Sequence, residues 1–145
     1  MRLGAAVIVT SLAFSACSMA GPGGTGAFEI GKELSLQAGE TAQAGDSGLR
    51  LGFDGVSADS RCPKGEQCVW AGDATARVWL QQGAGARQAL ELHTGLGAAQ
   101  AASVLGYEVR LLRLDPYPIT GKPIANADYI ATLRLVRGSS AAPER

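Results

Sequence analysis

The 145-residue chain has few aromatic residues (6%), a single histidine, and no excess charge, with 13 Lys+Arg against 13 Asp+Glu. The balanced charge excludes the strongly basic surface with which proteins bind the phosphates of nucleic acid. A hydrophobic content of 46% with only 18% charged residues excludes an intrinsically disordered chain. The length leaves room for one domain.

The sequence also lacks the motifs of common catalytic sites. It contains no Gly-x-Ser-x-Gly, phosphate-binding loop or His-Glu-x-x-His. A Ser-His-Asp triad would have to use His93, whose position predicts a solvent-facing residue at the end of a strand. Four acidic residues near a cysteine pair could supply the two carboxylates of glycosidase-type chemistry, but ordinary turn and surface positions explain them better: Asp54, Asp59, Glu66 and Asp73. We therefore expect a non-enzymatic protein without a cofactor.

No apolar run reaches the roughly 20 residues that a transmembrane helix needs. The first run, residues 3–14, follows a positive charge and has the length and flanks of a secretory signal peptide. Residues 14–17 (Phe-Ser-Ala-Cys) resemble the lipobox of bacterial lipoproteins, in which the cysteine is acylated after cleavage. We predict a signal peptide over residues 1–16 and lipid attachment to Cys17. The alternative is cleavage after Ala20, which yields a soluble secreted or periplasmic protein.

The predicted organisation follows from this start. Residues 17–27 are rich in glycine and predict a flexible tether. Residues 28–137 form the folded domain, and residues 138–145 a flexible tail. Ser18 resembles the residues that permit sorting to the outer membrane. The expected location is therefore the cell envelope, on the periplasmic face of the outer membrane in a Gram-negative cell. The expected partners are the membrane, through the lipid, and an envelope protein or ligand.

Apolar and polar residues alternate along most of the folded segment, as they do in strands with one buried face. The alternating segments are 28–37, 49–54, 74–80, 89–93, 107–111 and 129–135. Residues 82–86 predict a hairpin turn, and shifts of phase at residues 55–56 and 111–112 predict β-bulges or strands that change sheets. Alanine-rich residues 96–105 predict a short helix or an irregular crossover. The pattern predicts an all-β fold, an Ig-like antiparallel β-sandwich of about seven strands.

Residues 59–72 are the most distinctive segment of the folded domain. They contain Cys62 and Cys68, the two cysteines that remain when Cys17 is assigned to a lipid. In a compartment that permits disulfides, this pair predicts a structural disulfide. Closing so small a loop stabilises the fold by about 2 kcal/mol on loop-entropy grounds. Trp70 is expected to pack on the bridge as an apolar lid.

The same segment has alternative interpretations. A rigid binding or enzyme-inhibiting loop would present basic side chains to an acidic patch or a protease cleft; its candidate residues are Asp59, Arg61, Lys64 and Trp70. A site for envelope metal handling would use Cys62, Cys68 and His93, which suit Cu(I) or Zn, although the cysteine spacing departs from that of zinc sites. A redox dithiol would require Cys-x-x-Cys. We also hypothesise that Asp59 forms a buried ion pair with Arg61 or Arg77.

Several stretches carry a resemblance to a protein group. Residues 59–63 (Asp-Ser-Arg-Cys-Pro) and 68–74 (Cys-Val-Trp-Ala-Gly-Asp-Ala) resemble a motif of small uncharacterised bacterial envelope proteins and lipoproteins. Residues 107–111, 115–118 and 128–133 are similar to the same group, so the resemblance spans most of the chain beyond the signal. It implies a secreted or anchored domain and brings no catalytic residue.

Overall fold

The computed structural model describes residues 25–138, so the predicted signal peptide, Cys17 and most of the predicted tail lie outside the described residues. Residues 25–138 form nine strands and one short 3-10 helix. In chain order these elements are β1 (Thr25–Phe28), β2 (Glu33–Gln37), β3 (Thr41–Ala44), β4 (Leu49–Asp59), β5 (Ala74–Gln82), β6 (Gln88–His93), β7 (Ala101–Val104), β8 (Tyr107–Asp115), the 3-10 helix (Asn126–Asp128) and β9 (Ile130–Arg137).

The strands form two sheets that pack face to face. One sheet has the order β1-β3-β4-β5-β6 and the other the order β2-β9-β8-β7. The pairs are antiparallel except for β1 with β3, which is parallel. One continuous apolar core contains residues from both sheets, including Phe53 and Leu80 from one and Leu133 and Leu135 from the other. The predicted all-β sandwich is confirmed.

The alternation of apolar residues predicts strands because successive side chains of a strand point to opposite faces of its sheet. The predicted hairpin at residues 82–86 is confirmed by the pairing of β5 with β6. Both predicted bulges are confirmed as well. The register of β4 shifts between Phe53 and Gly55, and that of β8 shifts between Leu111 and Arg113. The second bulge returns Leu114 to the core.

The structure differs from the sequence prediction in three respects. It has nine strands instead of about seven, because the segment predicted as one strand over residues 28–37 is divided between β1 and β2, and β3 is added. Residues 101–104 form a strand, so the helix or crossover predicted over residues 96–105 is wrong for its second half. The pairing of β7 with β8 outweighs the helical preference of alanine. β1 also begins at Thr25, inside the predicted tether.

Trp79 covers the outer face of the five-stranded sheet. Its side chain is only 4% exposed, although it lies outside the core between the sheets. The ring packs against Gly52, where a Cβ atom would collide with it, and the Arg87 guanidinium lies 4.0 Å from the ring centroid on the surface. The indole N–H donates to Asp54 Oδ1 at 3.2 Å. Glycine is therefore required at position 52 of β4, because the large Trp79 ring on β5 occupies the space of its Cβ atom.

Three connections meet at one end of the sandwich, which we call the loop end. The connection of residues 60–73 joins β4 to β5, that of 94–100 joins β6 to β7, and that of 116–129 joins β8 to β9. Register places the first two side by side, because Thr75 near the start of β5 pairs with His93 at the end of β6. The first and third are in direct contact, since the Lys64 N–H donates to the Pro118 carbonyl at 3.0 Å.

Candidate functional site

The loop of residues 60–73 extends the β4–β5 pair beyond the sheet and is closed by a disulfide. Its stem continues the ladder, with the Ser60 N–H donating to the Asp73 carbonyl at 2.7 Å and the Cys62 N–H to the Ala71 carbonyl at 3.0 Å. A disulfide joins Cys62 to Cys68, with 5.9 Å between their Cα atoms. The predicted disulfide is confirmed. Because the sulfurs are bonded to each other, they do not supply the thiolates of the alternative metal site.

Arg61 secures the base of this loop from inside the molecule. Its Nε donates to Asp59 Oδ1 at 2.9 Å and its Nη2 to Asp59 Oδ2 at 2.7 Å. The two side chains are 6% and 11% exposed, so this is a buried two-pronged ion pair. The hypothesis that Asp59 pairs with one of two arginines is confirmed for Arg61.

The same guanidinium reaches the other sheet. Its Nη1 donates to the Leu114 carbonyl at 2.8 Å, and its Nη2 also donates to the Pro116 carbonyl at 3.0 Å. The Tyr117 ring lies 5.2 Å from the guanidinium carbon. Arg61 therefore ties the disulfide loop to the end of β8 and to the connection that follows it.

Tyr129 completes this cluster and shares the carboxylate of Asp59. Its hydroxyl donates to Asp59 Oδ2 at 3.0 Å. Burial disfavours the charged carboxylate, but the hydrogen bonds from Arg61 and Tyr129 outweigh that effect and hold the pKa of Asp59 below its usual value. Burial and the bond to Asp59 raise the pKa of Tyr129, since both favour the neutral phenol. Asp59 and Arg61 therefore form an ion pair at neutral pH.

A second acidic residue joins the disulfide loop to the neighbouring connection. Asp73 Oδ2 lies 2.6 Å from His93 Nδ1, while Asp73 Oδ1 accepts the N–H of Gly95 at 2.7 Å and that of Thr94 at 3.0 Å. Burial opposes ionisation here too, but the bonds from His93 and the backbone lower the pKa of Asp73. His93 is partly exposed, as its predicted position required, but sequence reasoning missed its partner.

A cleft of about 320 Å³ lies between the Arg61 cluster and the Asp73–His93 pair. Its wall is mainly apolar, with leucines from β8 and the side chain of Leu96. Polar side chains line the rest of the cleft. Arg61 and His93 come from the two clusters, and Gln100, Arg113 and Tyr117 also line it. An apolar cleft with a few polar groups is a typical site for a ligand or for a side chain of a partner.

Large apolar side chains project from the loops beside this cleft. Val69 is 91% exposed, Trp70 is 81% exposed and Leu96 is 96% exposed. Trp70 follows the disulfide directly but is too exposed to be the lid that the sequence suggested. A rigid loop that displays an uncovered tryptophan and valine is the strongest sign of an interaction surface in the described residues.

The predicted binding residues therefore separate into two groups. Arg61 is buried, Asp59 is half-buried, and both hold the loop in place, whereas Lys64 and Trp70 are exposed on it. Lys64 Nζ lies 5.7 Å from the ring of Tyr117, near the cleft. The four acidic residues considered as a carboxylate pair each engage a different group: Trp79 for Asp54, Arg61 for Asp59, Thr120 for Glu66 and His93 for Asp73.

Residues 25–138 contain no helix long and apolar enough to cross a bilayer. Within the same residues, no group of three or more His, Cys, Asp or Glu is arranged to hold a metal ion. No protein-family model, no curated protein and no solved structure matches this chain.

Proposed function

We propose that the chain is a non-enzymatic binding domain of the bacterial cell envelope, attached to a membrane by lipid on Cys17. The loop end is its binding surface. The observation that carries this proposal is the exposure of Val69 and Trp70 on a loop held by a disulfide and a buried arginine. Such a loop loses little backbone freedom when it binds, so the entropic cost of binding through its apolar side chains is reduced.

The membrane attachment rests on the signal-like residues 1–16 and the lipobox-like residues 14–17. The disulfide supports a location outside the reducing cytoplasm. We expect the mass of protein extracted from membranes to show diacylglycerol on Cys17, and Cys17→Ala to lack it. A mature protein that begins at Gly21 and carries no lipid would contradict this part of the proposal.

The binding surface is tested by site-specific photo-crosslinking in intact envelopes. A photoreactive residue in place of Trp70 is expected to form an adduct with an envelope component. The matched control is Leu105, which is also an exposed apolar residue but lies in the turn between β7 and β8, away from the loop end. Equal labelling at the two positions, or none at Trp70, would contradict a binding role for the loop end.

The alternative of an enzyme inhibitor that inserts Arg61 into a protease cleft is disfavoured by the structure. The guanidinium is engaged by Asp59 and by two carbonyls, and withdrawing it would leave Asp59 buried without its cation. The surface offered to a partner is instead apolar, from Val69 and Trp70, with Lys64 beside it.

A further inference from the structure

The exposed apolar side chains of the loop end lie on two connections that are fixed to each other. The Thr94 N–H donates to Asp73 Oδ1 at 3.0 Å, and the Ala74 N–H donates to Thr94 Oγ1 at 2.9 Å. Leu96 follows two residues after Thr94, and Trp70 precedes Asp73 by three residues. The two connections that carry the apolar side chains are therefore joined to each other and both line the same cleft.

The direction of β1 relates the start of the domain to this same end. β4 runs toward the loop end, and β3 is antiparallel to it. β1 is parallel to β3, so it also runs away from the loop end, and Thr25 is its residue nearest to that end. The N-terminal end of β1 therefore points toward the loop end.

The distance from Thr25 to the loop end is shorter than the chain between Cys17 and Thr25 can span. Thr25 is level with Thr41, Gly52 and Trp79 across the sheet. Five residues of β5 separate Trp79 from Ala74, where the loop of residues 60–73 ends, which corresponds to about 17 Å of strand. The eight residues from Cys17 to Thr25 can reach at most about 28 Å. A lipid on Cys17 can thus lie beyond the start of β5 at Ala74, on the side of the loop tips.

We propose that Val69, Trp70 and Leu96 rest in the interfacial layer of the bilayer that holds the lipid on Cys17. This inference rests on the proposed lipid attachment. The bilayer is favoured over a protein partner because the N-terminal end of β1 points toward the apolar tips, so a lipid attached before Thr25 can lie on their side of the molecule. Tryptophan suits the interface as well, since its ring is apolar and its N–H is polar.

The charges on the loop end predict how the contact responds to salt. Lys64 and Glu66 are both exposed on the disulfide loop, and Arg113 beside the cleft is paired with Asp115. Because the charges are balanced, the contact depends on apolar insertion more than on attraction to anionic lipid. Added salt is expected to leave it unchanged, unlike the contacts of polybasic segments.

The two tryptophans provide the test. Trp70 is exposed and Trp79 is buried between Gly52 and Arg87, so the difference in fluorescence between the protein and its Trp70→Phe variant reports on Trp70. The lipidated full-length mature protein is reconstituted into phosphatidylethanolamine–phosphatidylcholine vesicles with or without brominated acyl chains. Bromine is expected to quench the Trp70 signal by about twofold, because the ring lies at the lipid interface. The Trp70→Phe variant is expected to show no quenching.

Serine variants separate insertion from mere proximity to lipid. Val69→Ser with Leu96→Ser is expected to reduce the quenching of Trp70, whereas Leu105→Ser in the turn between β7 and β8 is expected to leave it unchanged. A Trp70 signal that is equal in brominated and ordinary lipid, and fully open to aqueous iodide in the vesicles, would overturn the membrane contact. The lipid attachment would then stand, and an adduct between Trp70 and a protein would identify the alternative partner.

The lipid attachment is measured separately on the same samples. If the mass of the mature protein shows no lipid on Cys17, the attachment fails, and the membrane contact fails with it because its geometry depends on that anchor. Lipidated protein with a water-exposed Trp70 overturns the contact alone. The two failures are therefore distinguishable.

Discussion

Arg61 is a buried charged side chain that stabilises the fold. Removal of a guanidinium from water is costly, and it is offset only when the charge is paired and the N–H groups find acceptors. Asp59 supplies the paired charge, and the carbonyls of Leu114 and Pro116 supply further acceptors. These contacts join β4, the disulfide loop and β8 at a single side chain.

Arg61→Met is expected to lower the free energy of unfolding by about 3–5 kcal/mol, because it leaves the carboxylate of Asp59 without its cation. Urea denaturation followed by circular dichroism measures this change. The matched control is Arg113→Met, because Arg113 also pairs with an aspartate two residues away, at 2.6 Å from Asp115.

The Arg113 side chain is 68% exposed, so its ion pair is expected to contribute less than about 1 kcal/mol. Burial is the main difference between the two arginine–aspartate pairs. Equal costs for the two variants would show that burial of Arg61 does not determine its contribution.

The lowered pKa values of Asp59 and Asp73 predict a loss of stability in acid. A carboxyl with a lower pKa in the folded state stabilises the fold at pH values above its unfolded pKa of about 4. That contribution is lost as the pH falls through the folded-state pKa. We expect the melting temperature to fall below about pH 4, and to fall less steeply in Asp59→Asn and in Asp73→Asn. An unchanged slope in both variants would contradict the assignment of these groups.

At the scale of elements, the stem of the disulfide loop depends on one close approach of the backbone. Gly72 has φ +72°, and a Cβ atom there would overlap the carbonyl oxygen of Ser60. Gly121, in the connection between β8 and β9, has nearly the same backbone angle, φ +75°, but no atom within 4 Å of the position of a Cβ. Comparing alanine variants of the two glycines therefore distinguishes the cost of backbone strain from that of steric overlap.

Gly121→Ala is expected to cost about 1 kcal/mol from the left-handed backbone alone. Gly72→Ala adds a collision with the backbone, so we expect it to cost at least about 2 kcal/mol more. Thermal denaturation of the two variants compares them directly. If the two variants were equally stable, the collision at residue 72 would cost nothing, and the prediction would be wrong.

Most strands could be predicted from the sequence because their apolar residues alternate, as Leu49, Leu51 and Phe53 do in β4. β3 and β7 could not, since alanine occupies four of their eight positions and has no strong preference for strands. Pairing with a neighbouring strand of the same sheet supplies what the local sequence lacks. β7 forms because β8 offers it a partner, which is information from outside the segment.

The site was predictable only where its residues are close in the sequence. Cys62 with Cys68, and Asp59 with Arg61, are local pairs with recognisable chemistry. Tyr129 reaches Asp59 across 70 residues, and His93 meets Asp73 across 20, so neither contact leaves a signal in the sequence. The burial of Arg61 likewise follows from carbonyls at the end of β8, on the other sheet.

At the scale of the whole molecule, the order of strands predicts how the fold opens. β4, β5, β8 and β9 each have a strand on both sides, whereas β1 and β7 are four-residue strands at sheet edges. Edge strands with few buried contacts open at low free-energy cost. In native-state hydrogen exchange we expect protection factors in β1 and β7 to be roughly a hundredfold below those in the inner strands. Uniform protection across all strands would contradict this order.

The parallel pairing of β1 with β3 has a mechanical consequence. A pull on the polypeptide before Thr25, toward the loop end, acts along the axis of β1 and opposite to the direction in which the strand runs. The force then shears the β1–β3 ladder, so its hydrogen bonds carry the load together; a sideways pull would peel them apart one at a time. The proposed lipid on Cys17 would transmit drag from the membrane through this short strand in the geometry that resists it best.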